Sequence, residues 1–179
     1  EYNWLLMLDE VQSGIGRSGQ WFAFQHTEIM PDVMTLAKGL GSGVPIGACL
    51  ASGIASKTFQ PGNHASTFGG NPLVCAAAAE TLAVIEEEGL IAHARTLGAF
   101  IHERLEAQLA GVSDVIEVRS QGLMIGIELA VPCTALVKKA LEKKLLINVT
   151  SEKVVRLLPA LVMQQDEAEL VVDTVSQLI

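Results

Sequence analysis

Two polar residues end short apolar runs, and their types are suited to chemistry. Residues 5–8 run into Asp9, and residues 33–37 run into Lys38. Open α/β sheets bind ligands beyond the carboxyl ends of their strands, which is where these residues are expected. A neutral lysine amine in an apolar cleft is a nucleophile, and a carboxylate can hold a proton on a ring nitrogen. An acid and an amine so placed predict a carbonyl cofactor, and pyridoxal phosphate needs this pair.

Simpler roles for the same residues stay open. Lys38 could extend from a strand end into water, and Asp9 could cap the next turn or hold a metal. Glu10 is expected on the other side of the strand, in a structural salt bridge. A metal-dependent hydrolase would use Asp9 and Glu10 with a histidine, but the four histidines and three cysteines lack ligand spacing and no metal site is indicated. These residues are His26, His64, His93, His102, Cys49, Cys75 and Cys133, and His93 and His102 are expected on a helix surface.

Composition narrows the class of protein. The 179 residues hold 12 Lys and Arg against 20 Asp and Glu, a net charge of −8 that argues against nucleic-acid binding. Hydrophobic residues make up 50% of the chain, which is enough for a folded core. The sequence contains no uninterrupted apolar run of about 18 residues, so it predicts no membrane-spanning helix. Without a signal-peptide pattern or a disulfide framework, we expect a cytoplasmic protein.

The hydrophobic pattern predicts an α/β fold with a domain boundary near Gly89. Short continuous apolar runs indicate strands, and the first is expected to be buried on both faces. A helix should begin at Pro72 and stop at Gly89. Apolar residues three and four apart then predict a second helix with one buried stripe. The predicted strands are 5–8, 33–37, 46–51, 115–118, 123–129, 145–149 and 154–158; a short helix or turn lies at 21–25; the helices are 73–88, 90–109, 134–144 and 166–179.

Three ordered motifs carry a family resemblance. Residues 8–19 resemble the cofactor-ring motif of the class III pyridoxal-phosphate aminotransferases. Residues 31–48 resemble their Schiff-base lysine segment, and residues 64–73 resemble their phosphate-contact loop. The likeness continues through residues 121–129 and 156–159, so it covers nearly the whole chain.

This resemblance implies the pyridoxal-phosphate-dependent transferase fold of type I. Residues 1–89 would be the later part of the large three-layer α/β domain with its connecting helix, and residues 90–179 the C-terminal small α/β domain. Family members are longer, and their first part supplies a Gly-Thr phosphate cup and an aromatic ring that stacks on the cofactor. We therefore expect this chain to be the later half of an enzyme and inactive on its own.

The resemblance also assigns roles residue by residue. Lys38 would form the Schiff base and then move a proton, and Asp9 would pair with the pyridine nitrogen. Glu10 belongs to the cofactor-binding segment, Val11 would pack on a ring face, and Gln12 would hydrogen-bond near the ring oxygen.

The remaining roles concern the phosphate and the substrate. Thr67 would bind the cofactor phosphate across a homodimer interface, Ser66 would lie beside the substrate, and Arg156 would clamp its α-carboxylate. Apart from the resemblance, Val11 is ordinary core and Gln12 a turn residue. Ser66 and Thr67 could cap the following helix, and Arg156 could be an exposed sheet arginine.

Finer features favour the acetylornithine branch of the family. They are Gln12, the 68–70 segment and the 126–129 segment. The implied reaction passes the side-chain amino group of N2-acetyl-L-ornithine to 2-oxoglutarate, giving N-acetyl-L-glutamate 5-semialdehyde and L-glutamate in arginine biosynthesis. The alternatives are another class III ω-aminotransferase, acting on ornithine, succinylornithine, succinyldiaminopimelate or 4-aminobutyrate, or a non-catalytic dimerising fragment.

Overall fold

The computed structural model describes residues 4–179, which divide into two compact units. One unit ends at Ile91 and the other begins at Ala92. Each contains its own sheet together with helices, so the predicted α/β class is confirmed.

The first unit is built on a three-stranded sheet. Its strands are β1 (Met7–Asp9), β2 (Val33–Leu36) and β3 (Ala48–Ala51), in the order β1-β2-β3. β1 is parallel to β2, whereas β3 is antiparallel to it. The first strand was expected to be buried on both faces, and this is wrong, because Met7 is 64% exposed. Within residues 4–179, β1 forms one edge of this sheet, beside β2.

Short helical turns and one long helix complete this unit. The predicted turn near residues 21–25 is a 3₁₀ turn at Ala23–His26, and a second 3₁₀ turn follows at Lys38–Gly41. Helix α1 (Pro72–Glu87) begins where Pro72 predicted and packs against the Lys38–Gly41 turn. The Oδ1 atom of Asn71 accepts hydrogen bonds from two backbone N–H groups of its first turn. Asn71 is therefore the cap of this helix, and the capping role considered for Ser66 and Thr67 is not what the structure shows.

The second unit is a four-stranded antiparallel sheet with helices. Helix α2 (Leu90–Gln108) runs into it, followed by β4 (Val115–Gln121), β5 (Met124–Leu129), α3 (Ala135–Glu142), β6 (Asn148–Thr150), β7 (Val154–Leu157) and α4 (Gln165–Leu178). The strand order is β4-β5-β7-β6.

One strand of this sheet begins later than predicted. Residues 145–149 were expected to be a strand, but β6 covers Asn148–Thr150. The backbone N–H of Leu145 donates 2.9 Å to the carbonyl of Ala140, and Lys144 has a left-handed φ of 62°. Both features are typical of a helix C-terminus, so this part of the segment closes α3 instead of pairing in the sheet.

The core of the second unit lies between α2, α4 and one face of the sheet. The predicted stripe of α2 is confirmed, because Ile101 and Leu105 are 1% and 0% exposed. His93 and His102, expected on the surface, are half-buried, and the Nε2–H of His93 donates to the carbonyl of Met163. The inner face of the sheet meets the helices with a set of buried apolar side chains: Ile125, Ile127, Leu129, Val155 and Leu157.

The helices of residues 4–179 include none with the length and apolar character needed to cross a membrane.

Candidate active site

Asp9 ends one of two neighbouring parallel strands, and Lys38 lies just beyond the other. Asp9 is the last residue of β1 and lies opposite Thr35 of β2. Its Oδ1 atom accepts a hydrogen bond from the backbone N–H of Val11 at 3.0 Å and one from the Thr35 hydroxyl at 3.3 Å. These two bonds fix the carboxylate against its own loop and the adjacent strand, at the strand ends where the sequence placed a site.

Lys38 lies in a strained turn just beyond β2. Its φ of 47° is left-handed, which is uncommon for a residue with a side chain. The turn is closed by the backbone N–H of Leu40, which donates 3.0 Å to the carbonyl of Ala37. The Lys38 side chain is exposed, and it follows a strand of mostly buried residues. Lys38 lines a cavity of about 410 Å³ together with residues 43–46.

Glu10 binds backbone N–H groups instead of forming the salt bridge that was predicted for it. It is 3% exposed, and its carboxylate accepts hydrogen bonds from the backbone N–H groups of Ala23 (3.0 Å) and Phe24 (2.9 Å). The Ser13 hydroxyl also donates to it. Glu10 therefore ties the 3₁₀ turn at Ala23–His26 to the end of β1. Its predicted contact with a cofactor stays a prediction.

The glycine-rich loop after Glu10 packs beneath the lysine turn. Ile15 is buried with a left-handed φ of 55°, a genuine outlier for a β-branched residue. A Cβ atom on Gly39 would lie 3.5 Å from the Ile15 Cβ, so the loop and the turn are in close contact. Arg17 of this loop is half-buried, and that burial lowers the pKa of its guanidinium.

The other predicted residues of the first unit lie in two segments. Val11 is half-buried and Gln12 exposed, both in the turns after β1. Ser66 and Thr67 lie between β3 and α1, where the Ser66 hydroxyl oxygen accepts a 2.9 Å bond from the backbone N–H of Gly69. Thr67 is exposed.

Arg156 lies on the outer face of the sheet in the second unit. It sits in β7 opposite Gly126 of β5, and Gly126 lies opposite Arg119 of β4. The two arginines therefore flank a residue without a side chain. The space above it is a cavity of about 360 Å³ that both arginines line, together with Thr150 and Gln121. Arg156 is half-buried there, so the exposed-arginine alternative is wrong.

Arg119 is held by two carboxylates. Its Nη1 atom donates to Glu128 Oε2 at 2.6 Å and to Glu117 Oε2 at 2.8 Å. The hydrogen bond to Glu128, followed by that to Glu117, raises the pKa of Arg119. Four charged groups, two of each sign, therefore share this outer face.

The structure thus joins Asp9 to Val11 by a hydrogen bond, places Lys38 beyond the neighbouring strand of the same unit, and places Arg156 in the second unit. Sequence reasoning missed Thr35, Arg119 and Glu128. A signal existed for each of them. Thr35 is the polar member of an otherwise apolar strand, Glu128 alternates with Ile127 and Leu129, and Arg119 follows Val118. In residues 4–179, no three His, Cys, Asp or Glu side chains come together in a group able to hold a metal ion.

Comparisons with known proteins identify the family. The model of the class-III aminotransferase family matches residues 1–179. An acetylornithine aminotransferase of Nitrosomonas europaea is 66% identical over 176 residues, which are 98% of this chain and 45% of the relative. Acetylornithine aminotransferase 1 of Bordetella bronchiseptica is 59% identical over 96% of this chain and 44% of its own length. The chain thus spans a little under half the length of these curated relatives.

Solved structures give the same fold. The ornithine aminotransferase of Toxoplasma gondii matches with a TM-score of 0.92 and 36% identity, over 98% of this chain and 43% of that one. The acetylornithine aminotransferase of Elizabethkingia anophelis matches with a TM-score of 0.89 and 34% identity, over 99% of this chain and 46% of that one. The expected fold of type I is confirmed. Because the family model matches all of residues 1–179, the chain belongs to the class-III aminotransferases.

Proposed function

We propose that this chain carries the lysine and the ring-nitrogen acid of an acetylornithine transaminase. The reaction transfers the side-chain amino group of N2-acetyl-L-ornithine to 2-oxoglutarate, giving N-acetyl-L-glutamate 5-semialdehyde and L-glutamate. The observation that carries the proposal is the placement of Asp9 at the end of one of two paired parallel strands and of Lys38 just beyond the other. The substrate follows from relatives of this name at 66% and 59% identity.

The residues present fit pyridoxal phosphate. The cofactor needs an amine for its aldehyde and a carboxylate for its ring nitrogen, and Lys38 and Asp9 supply these groups. Lys38 lines an open cavity, and Asp9 is exposed although anchored. When bound, the cofactor withdraws electrons from the carbon that bears the amino group.

Asp9 and Lys38 have separate tasks in this proposal. The hydrogen bonds from Val11 and Thr35 both fall on Oδ1 of Asp9, so Oδ2 is the oxygen offered to the ring nitrogen. Lys38 holds the cofactor between turnovers and carries the proton that the amino-bearing carbon loses. The left-handed φ of Lys38 is backbone strain of the kind that concentrates at functional sites, which supports a role in binding and proton transfer.

The other residues bind and orient. Arg156 receives the α-carboxylate through its planar guanidinium. Val11 and Gln12 contact the ring, and Glu10 supports their segment from beneath. Ser66 lies near the substrate, and Thr67 binds the phosphate across the interface of a homodimer.

The complete protein that contains these residues would work in arginine biosynthesis in the cytoplasm. Because the chain spans less than half of its curated relatives, the activity is proposed for the complete gene product.

Borohydride trapping tests the cofactor and the lysine. We expect reduction of the complete protein with pyridoxal phosphate to leave a pyridoxyl group on Lys38, detected by peptide mapping. A Lys38→Ala variant should give no adduct, and Lys57→Ala, which removes an exposed lysine of the same unit, should give a normal one. A folded protein with no adduct at Lys38 would refute the proposal.

A panel of amino donors tests the substrate. N2-acetyl-L-ornithine should give the highest kcat/KM when compared with ornithine, succinylornithine, succinyldiaminopimelate and 4-aminobutyrate. A clear preference for ornithine would keep the cofactor assignment and replace the substrate.

A further inference from the structure

Glu128 has the same register relation to two arginines. In β5 it lies opposite Glu117 of β4 on one side and opposite Val154 of β7 on the other. Arg119 follows Glu117 by two residues, and Arg156 follows Val154 by two residues. Both arginines are thus diagonal neighbours of Glu128 on one face, a separation of about 7–8 Å that long side chains can cross.

The structure shows which arginine Glu128 binds. Its Oε2 atom accepts a 2.6 Å hydrogen bond from Arg119 Nη1. Gly126 lies between the two arginines and adds no side chain to separate them. Arg119 and Arg156 both line the cavity above Gly126, and the hydrogen bond keeps the Glu128 carboxylate on the arginine of the β4 side.

We infer that Arg119 is a positioning residue for substrate binding, because it keeps the Glu128 carboxylate from competing with the substrate carboxylate for Arg156. The inference rests on the proposed role of Arg156. A carboxylate tethered on the same sheet face has a high effective concentration near that guanidinium, so it would compete strongly with a dissolved ligand. Arg119 prevents this competition because it binds the Glu128 carboxylate through a charge-assisted hydrogen bond.

A positioning role for Arg119 predicts effects on ligand binding that a purely structural role would not produce. If Arg119 is lost, binding of a carboxylate ligand at Arg156 should weaken. If Glu128 is also made neutral, binding should return although Arg119 is still missing. Glu117 supplies the matched control, since it binds the same Arg119 atom but lies in β4, on the strand remote from Arg156.

The experiment uses the complete protein loaded with pyridoxal phosphate. Glutarate, which resembles 2-oxoglutarate but has no oxo group to react, is titrated by calorimetry, and KM and kcat are measured with 2-oxoglutarate. We expect Arg119→Met to raise the glutarate Kd and the 2-oxoglutarate KM about tenfold with little change in kcat. Arg119→Met/Glu128→Gln should return both constants to within about twofold of the parent, whereas Arg119→Met/Glu117→Gln should stay weak.

Three outcomes decide the matter. Rescue by Glu128→Gln alone supports the inference. A double variant as weak as Arg119→Met, or equal rescue by Glu117→Gln, overturns it while leaving the proposed function intact. An Arg156→Gln variant that binds glutarate as tightly as the parent removes the proposed role of Arg156, and the inference falls with it. Thermal unfolding of each variant identifies any that binds weakly because it is unfolded.

Discussion

The adjacent carboxylates of Asp9 and Glu10 differ in burial and in the groups that they bind. Asp9 is exposed and anchored through one oxygen, whereas Glu10 is buried and uses its carboxylate to bind backbone N–H groups. Alternation along a strand end sends adjacent side chains to opposite faces, so one faces the site and the other the interior. Mutation should therefore separate an effect on turnover from an effect on stability.

Asp9→Asn should lower kcat of the complete protein by about 100-fold or more, because the amide carries no charge to hold a proton on the ring nitrogen. The amide oxygen can still accept the bonds from Val11 and Thr35, so the melting temperature should stay close to the parent value. Asp32→Asn, at a carboxylate that accepts the backbone N–H of Leu6, is the control for loss of charge beside the sheet. Unchanged kcat in Asp9→Asn would remove Asp9 from the chemistry.

Glu10→Gln should reduce the free energy of unfolding by about 1–3 kcal/mol, because an amide NH₂ group would face buried donors. Denaturant unfolding measures this loss, and Glu28→Gln, on an exposed residue of the same unit, should change little. Equal stability of the two variants would show that the buried carboxylate is not an anchor.

Helix α1 depends on its cap. Asn71 accepts two backbone N–H bonds, so Asn71→Ala should cost about 0.5–2 kcal/mol of stability, while Asn71→Ser should retain most of it. Calorimetric melting checks both variants. Because this helix packs against the Lys38–Gly41 turn, the alanine variant should also bind the cofactor less tightly. Identical melting of the two variants would argue against the cap.

Helix α2 approaches the β4–β5 turn very closely at Gly98. A Cβ atom at this position would overlap the carbonyl oxygen of Gly122. Gly98→Ala should therefore destabilise the protein by about 1–3 kcal/mol, although alanine favours an isolated helix. The matched control is Gly126→Ala, whose Cβ would meet its neighbours at 3.4 Å or more. Denaturant unfolding should rank the two variants clearly, and a stable Gly98→Ala protein would contradict the close contact.

At the level of elements, periodic patterns were predictable and pairings were not. The stripe of α2 and the start of α1 follow from residue spacing and from Pro72, which act locally. The exposure of β1 depends on which strands and layers surround it, and the late start of β6 depends on how α3 closes. In the same way, the positions of Asp9 and Lys38 near strand ends were predictable, because strand ends are local features. The Arg119–Glu128 contact depends on the register between strands, which no single segment specifies.

At the scale of the whole molecule, the reactivity of the buried Cys133 thiol measures how well the core of the second unit stays folded. Burial raises the pKa of its thiol above the ordinary value of 9.0, so the folded protein disfavours the thiolate. Burial of the neutral thiol therefore contributes its full stabilisation when the pH is below the ordinary pKa. This stabilisation is lost as the pH rises through the higher pKa of the folded state. Iodoacetamide at pH 8 should therefore label Cys133 much more slowly in the folded protein than in guanidinium chloride. Equal rates would mean that this core opens readily.

Molecules of this family keep one fold while their sequences differ widely, as the TM-score of 0.92 at 36% identity indicates. The two faces of the sheet in the second unit separate the residues of the core from those of the cavity, where the proposed function places the substrate. Ile125 and Ile127 are part of the core, whereas Met124 and Gly126, which alternate with them, line the cavity. A one-residue slip would bury Glu128 and expose both isoleucines, so selection for stability also preserves the placement of the arginines. Evolution can then alter the outward residues one at a time, on a scaffold that the inward residues hold constant.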